Sequence, residues 1–191
     1  MAKQGKRPVR IPDGVKASLE GTVLKMSGPM GNLGLEVPPV LSVVLEKGSI
    51  RVDFRSAAGN GERKNETENE SLRSLYRALI NSRMKAVKEG ITKQLEVIGV
   101  GYQAELKGKN LVLKIGFSHP VSVPVPSEIK VKVEKNLITL AGSDPQQVGD
   151  FAARVRGVRP PEPYGGKGIR YQGEYVRQKV GKTAGATGTT K

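Results

Sequence analysis

His119 is the only histidine and there are no cysteines, so groups that titrate or attack near neutral pH are almost absent. His119 precedes Pro120 and has no partner nearby in sequence, which reads as a surface or hydrogen-bonded residue and not a general base. A zinc site would need carboxylates for most of its ligands, an uncommon set. The carboxylates that do cluster, Glu62, Glu66, Glu68 and Glu70, precede a helical pattern, where acids favour the helix dipole and solvate a loop. Two glycine motifs fail on context. Gly181-Lys182-Thr183 resembles the end of a phosphate-binding P-loop, but Val176 stands where the earlier glycine is required. Gly99-Val100-Gly101-Tyr102-Gln103-Ala104 has the look of a dinucleotide fingerprint, yet it sits in an alternating strand pattern with no helix after it. Glycine there marks a bulge or a close backbone approach. No catalytic residue, metal ligand, cofactor or small-molecule substrate is expected.

Gly165-Gly166-Lys167-Gly168 carries more chemistry. Small residues let a backbone lie against a phosphate, as in the G-x-x-G loop of KH domains. Those domains place the loop between helices, whereas Pro163 precedes it here and the β-favouring Tyr171 follows, so the physics applies and that family does not. Lys167 and Arg170 supply charge; Tyr164 and Tyr171 can stack on a base or pack beneath the loop. Arg177, Lys179 and Lys182 extend the basic strip.

Such a loop needs a scaffold, and the middle of the chain reads as one pattern written twice. Strands are expected at Leu19 to Lys25 and Leu33 to Val37, with a Gly/Pro turn from Ser27 to Asn32. A hairpin from Val43 to Val52 and an exposed polar loop from Ser56 to Asn69 follow. Leu72, Leu75, Tyr76, Leu79 and Ile80 then recur at three- and four-residue steps, a helix with one buried face. The second copy opens at Leu95. Leu111, Leu113, Ile115 and Phe117 alternate as a half-buried strand. Val131 to Leu140 repeats the hairpin, with Glu-Lys and Ile in matching positions. Asp144-Pro145-Gln146-Gln147 starts a helix, Asp as cap and Gln completing a capping box, and Val148, Phe151, Ala152 and Val155 form its apolar stripe. The expected fold class is α+β: two similar small domains, each a mostly antiparallel sheet with one helix packed on a face, plus a basic C-terminal extension. The domains are placed at 1–82 and 83–171, joined near 82–93, with a partly flexible tail at 172–191. Residues 183–191, only Thr, Gly, Ala and Lys, have nothing to bury and are expected to be disordered when alone.

Charge says what the scaffold is for. The formal net charge is +14, and it is concentrated at the ends: residues 1–16 net +4, residues 151–191 net +7, and the longer stretch between only +3. A localised excess of this size answers a polyanion. An anionic membrane is the weaker alternative, since no apolar run approaches the roughly 20 residues needed to span one. The basic opening MAKQGKRPVR is not followed by a signal-peptide core, and with no cysteines a cytoplasmic protein is expected.

The same residues carry a family likeness. Pro161-Glu162-Pro163-Tyr164, Gly166-Lys167-Gly168-Ile169-Arg170-Tyr171, and then Glu174, Arg177, Lys179, Gly181 and Lys182 resemble the C-terminal signature of the L-six family of large-subunit ribosomal proteins, in its bacterial form. Gly5-Lys6-Arg7-Pro8 with Ile11-Pro12 and Gly14-Val15 resembles that family's opening. Leu95-Glu96, Gly99-Val100-Gly101-Tyr102 and Ser118-His119-Pro120-Val121 resemble its second domain. Gly165 stands where the family often has a basic residue. The resemblance implies a non-catalytic constituent of the cytoplasmic ribosome. Its second domain would dock on large-subunit rRNA near the factor-binding region and the sarcin–ricin loop, among neighbouring ribosomal proteins. It assigns RNA contacts to Arg159, Tyr164, Lys167, Gly168, Arg170, Tyr171, Arg177, Lys179 and Lys182, and makes His119 a loop residue of the second domain.

The expected mechanism is architectural: a rigid basic loop and strip neutralise phosphates where rRNA helices pack together. Removal of residues 160–191 is expected to spare the fold and abolish assembly. Two rivals stay open at this point. One is an RNA-binding regulator acting off the ribosome; the other is a phosphate-ester hydrolase built on the glutamate cluster.

Overall fold

The computed structural model describes residues 7–46, 48–54 and 65–181. In chain order the elements are β1 (Val9–Arg10), β2 (Lys16–Glu20), β3 (Val23–Gly28), β4 (Gly31–Glu36), β5 (Leu41–Glu46), β6 (Ser49–Phe54), α1 (Asn65–Glu89), β7 (Ile91–Ile98), β8 (Gln103–Lys107), β9 (Asn110–Lys114), β10 (Val121–Pro124), β11 (Ile129–Glu134), β12 (Leu137–Gly142), α2 (Pro145–Val158) and β13 (Gly168–Tyr171). They divide between two compact units: residues 1–91 with 142–146, and residues 92–141 with 147–191.

The N-terminal unit holds two three-stranded sheets, ordered β1-β6-β5 and β2-β3-β4, whose pairs are antiparallel. Alternation sends Leu24 and Met26 of β3, and Ile50 and Val52 of β6, to the interior. The helix α1 closes this core with Ile80, Met84 and Val87. Three details depart from the sequence reading. The strand expected at Leu19 to Lys25 is two strands, because Gly21 takes φ +61 and reverses the chain, pairing Glu20 with Val23. The helix begins at Asn65, so residues 65–69 of the expected polar loop are its first turns, while 56–64 lie outside the described residues. Leu75 points outward at 53% exposure, and the buried face continues through Met84 and Val87.

The C-terminal unit also has two sheets, β10-β9-β8 and β11-β12-β7-β13. Each half therefore holds two sheets, with the antiparallel α+β character kept. The helix α2 starts where Asp144 Oδ1 accepts the Gln146 N–H at 2.9 Å, satisfying a donor the first turn leaves free. Val148, Phe151, Ala152 and Val155 are all buried. The echo between hairpins is physical: Ile50 and Ile138, at matching places in β6 and β12, are both fully buried. Phe117 departs from its alternating series. Leu111, Leu113 and Ile115 are buried, but β9 ends at Lys114 and Gly116 turns the chain at φ +79, leaving Phe117 45% exposed.

The last strand corrects one more expectation. β13 runs antiparallel to β7, with Ile169 opposite Val97 and Arg170 opposite Glu96, and Ile169 is fully buried. The segment after α2 is thus part of the core, and removing residues 160–191 would take out a strand of the four-stranded sheet.

Candidate nucleic-acid interface

The chain leaves α2 at Arg159, makes a loop, and returns as β13. The two ends of the loop are tied together, since the Arg159 carbonyl accepts the Ile169 N–H at 2.8 Å. Within it, the Glu162 N–H donates to the Lys167 carbonyl (2.9 Å) and the Gly166 N–H to the Glu162 carbonyl (3.0 Å), so residues 162–167 are closed by their own backbone. Gly166 adopts φ +68 to complete that closure. Tyr164 (58% exposed) and Lys167 face solvent from this closed loop.

Gly168, named from sequence as an RNA contact, opens β13. It is buried, and a Cβ there would lie 2.6 Å from the Pro160 carbonyl oxygen. Its missing side chain admits the neighbouring backbone, fixing the angle at which the loop leaves the sheet. Arg170 and Tyr171 on β13 are half-buried. The Arg170 Nε donates to Glu96 at 3.0 Å across the strand pair, and the Tyr171 ring lies 5.9 Å from the Arg156 guanidinium. Glu174 knits this edge together. Its Oε2 accepts from Arg156 Nε (3.1 Å) and from the Tyr171 N–H (2.9 Å). Those hydrogen bonds, first from Arg156 and then from Tyr171, hold the Glu174 carboxyl below its ordinary pKa. The bond to Glu174 in turn raises the Arg156 pKa above the usual arginine value.

Beyond β13 the chain has no regular structure through Gly181, but it is not loose. The Gln172 N–H donates to the Gln94 carbonyl at 3.0 Å, and the Lys179 N–H to the Pro163 carbonyl at 2.8 Å. The second bond lays Lys179 beside the loop. Arg177 and Lys179 are exposed, and neither they nor Lys167 has an ion pair among the described residues. Lys182 lies outside the described residues, as does the Thr/Gly-rich tail at 183–191.

Of the nine positions named from sequence, Arg159, Gly168, Arg170 and Tyr171 build and brace the base of the loop, while Tyr164, Lys167, Arg177 and Lys179 form its free, basic outer face. Sequence reasoning named two acids as part of the family likeness but gave them no role. Glu96 and Glu174 each take up one arginine, a pairing that only the β7–β13 register and the turn after β13 reveal. It also missed the seat of Arg159, whose guanidinium lies over the rings of Phe117 (5.2 Å) and Tyr102 (5.6 Å). The Tyr102 ring occupies space that a Cβ on Gly99 would invade at 2.5 Å, which is the close approach expected of that glycine-rich turn.

Elsewhere, His119 is exposed, with Nδ1 3.5 Å from the Ser118 hydroxyl. Of the glutamate cluster, Glu70 pairs with Arg73 at 3.1 Å; Glu62 and the side chains of Glu66 and Glu68 lie outside the described residues. No group of three or more metal-ligating side chains occurs among the described residues. Nor is any described helix long and apolar enough to cross a membrane.

Residues 98–172, which run from the end of β7 through the loop and β13, match the family model described as Ribosomal protein L6. Over nearly its whole length the chain is similar to proteins named Large ribosomal subunit protein uL6. That of Protochlamydia amoebophila (strain UWE25) is 43% identical over 185 residues, covering 96% of this chain and 98% of the relative. That of Synechococcus sp. (strain JA-3-3Ab) is 42% identical over 188 residues, covering 97% and 99%. That of Bradyrhizobium sp. (strain BTAi1 / ATCC BAA-1182) is 44% identical over 186 residues, covering 95% and 99%.

Proposed function

This chain belongs to the ribosomal protein L6 family, and on that basis we propose that its C-terminal unit binds large-subunit rRNA close to the factor-binding region and the sarcin–ricin loop. It is a structural, non-enzymatic constituent of the large subunit of the cytoplasmic ribosome, where rRNA and other ribosomal proteins are its partners.

The observation that carries the rRNA reading is the division of labour around the loop. Arg156 and Arg170 are spent on Glu174 and Glu96, while Lys167, Arg177 and Lys179 stand exposed beside an aromatic, Tyr164, on a loop closed by its own backbone. A rigid scaffold with unpaired cations at its tip binds phosphates without first ordering itself, and releases their counterions on doing so. The bonded closure and the brace from Lys179 to Pro163 make the presentation rigid.

Titrating the full chain against large-subunit rRNA over a salt series tests this. Log K should fall linearly with log salt, and Lys167→Ala, Arg177→Ala and Lys179→Ala should each weaken binding. Each should also flatten the slope by about 0.9 on duplex RNA, or about 0.7 where the contacted strand is single. Affinity and slope unchanged in all three would remove this face from the RNA contact.

A further inference from the structure

Arg159 differs from its neighbours. Arg156 and Arg170 each donate to a carboxylate, whereas the Arg159 guanidinium has no hydrogen-bond or ion-pair partner among the described residues. It is nonetheless held in place. Its backbone is pinned to Ile169 at the foot of the loop, and its planar head lies over the rings of both Tyr102 and Phe117, 5.6 and 5.2 Å from their centres. Tyr102 is itself clamped: a Cβ on Gly99 would come 2.5 Å from the ring, and one on Gly116 would come 3.2 Å from it. An oriented arginine with five donors and no acceptor is set up for a ligand that brings its own oxygens.

Phe117 supplies the other half. It lies just past the end of β9, 45% exposed, with the Arg159 guanidinium 5.2 Å from its ring centre. A phenyl ring left this open is apolar surface awaiting cover. An apolar protein segment is a poor cover, because it would seal off the unpaired guanidinium donors as well. A nucleotide satisfies both groups, offering a π-face to the ring and phosphate oxygens to the fork. The base must be unpaired, since a base inside a helix has no free face to give.

We propose that Phe117 and Arg159 form a stacking platform for one unpaired nucleotide of the bound RNA, the base lying on Phe117 and a phosphate on the Arg159 fork. The platform rests on the rRNA-binding reading above and gives it a contact to a looped-out or bulged nucleotide, beside the phosphate contacts of the loop.

The test uses the full chain, a transcript of large-subunit rRNA as probe, and dissociation constants measured across a salt series. Phe117→Leu stays apolar but removes the π-face, and should weaken binding about tenfold at every salt, giving a line parallel to wild type. Phe117→Trp should bind as wild type does. Arg159→Lys keeps the charge and loses the fork and the stacking, so it too should weaken binding with its slope retained. Wild-type affinity in Phe117→Leu, or equal losses in the Leu and Trp variants, overturns the platform and leaves rRNA binding standing. A wild-type chain that fails to bind the transcript at any salt overturns the rRNA reading, and the platform with it.

Discussion

A methyl group placed on Gly168 would sit 2.6 Å from a backbone oxygen, at φ +143, a region that side chains rarely enter. Gly168→Ala should therefore cost roughly 2–4 kcal/mol in unfolding free energy, measured by urea denaturation, while leaving the slope of RNA affinity against salt unchanged in the folded fraction. Lys167→Ala should behave oppositely, with stability untouched and the slope flattened. Those two residues stand side by side in Gly166-Lys167-Gly168, and their chemistry was legible in the sequence as one motif; only the packing separates the buried glycine from the exposed cation. Glu174 gives a further test. Its pKa is lowered from 4.5 in the folded chain, so its contribution is complete above that pH and is lost as pH falls through the lowered value. Glu174→Gln should lose about 1 kcal/mol at neutral pH, the two partners being partly exposed, and should show a shallower loss of stability than wild type on acidification below about 4.5. Thermal unfolding at pH 7 and pH 3.5 reads both. Nothing in the sequence singled out Glu174 as a brace, because Arg156 lies 18 residues away and meets it only when β13 turns back.

At the scale of elements, legibility followed the strength of the local signal. The cap at Asp144 and the stripe of Val148, Phe151, Ala152 and Val155 were legible in the sequence, because side-chain capping and helical period agree. The hairpins β5–β6 and β11–β12 stood out through alternation and turn residues. What failed were places where one glycine overrules a period. Gly21 splits an apparently continuous strand into β2 and β3, and Gly116 ends an alternating series one side chain before Phe117. The strand β13 was the costliest omission. Gly-Ile-Arg-Tyr is too short to show a period, and its burial depends on β7, some 70 residues earlier in the chain. The structure accordingly predicts that Ile169→Ala loses about 2–5 kcal/mol, and that a chain ending at Arg159 loses the cooperative unfolding transition of its C-terminal unit. A retained transition in the shortened chain would show that β13 is dispensable.

The whole molecule is read most directly from its charge. A net of +7 on the last 41 residues, against +3 on the 134 residues between the basic ends, already pointed to a localised polyanion contact. The folded chain sharpens that into neutralised arginines below and free cations above. Sedimentation through a sucrose gradient tests this where the protein works. Tagged wild-type chain and a variant with Lys167, Arg177 and Lys179 all changed to alanine would be expressed in cells, and their ribosomes run before and after a high-salt wash. The wild type should co-migrate stoichiometrically with the large subunit through the wash, and the folded variant should be released to the top of the gradient. A variant that stays with the large subunit through the wash as firmly as wild type would contradict the claim that this basic face holds the protein on its rRNA.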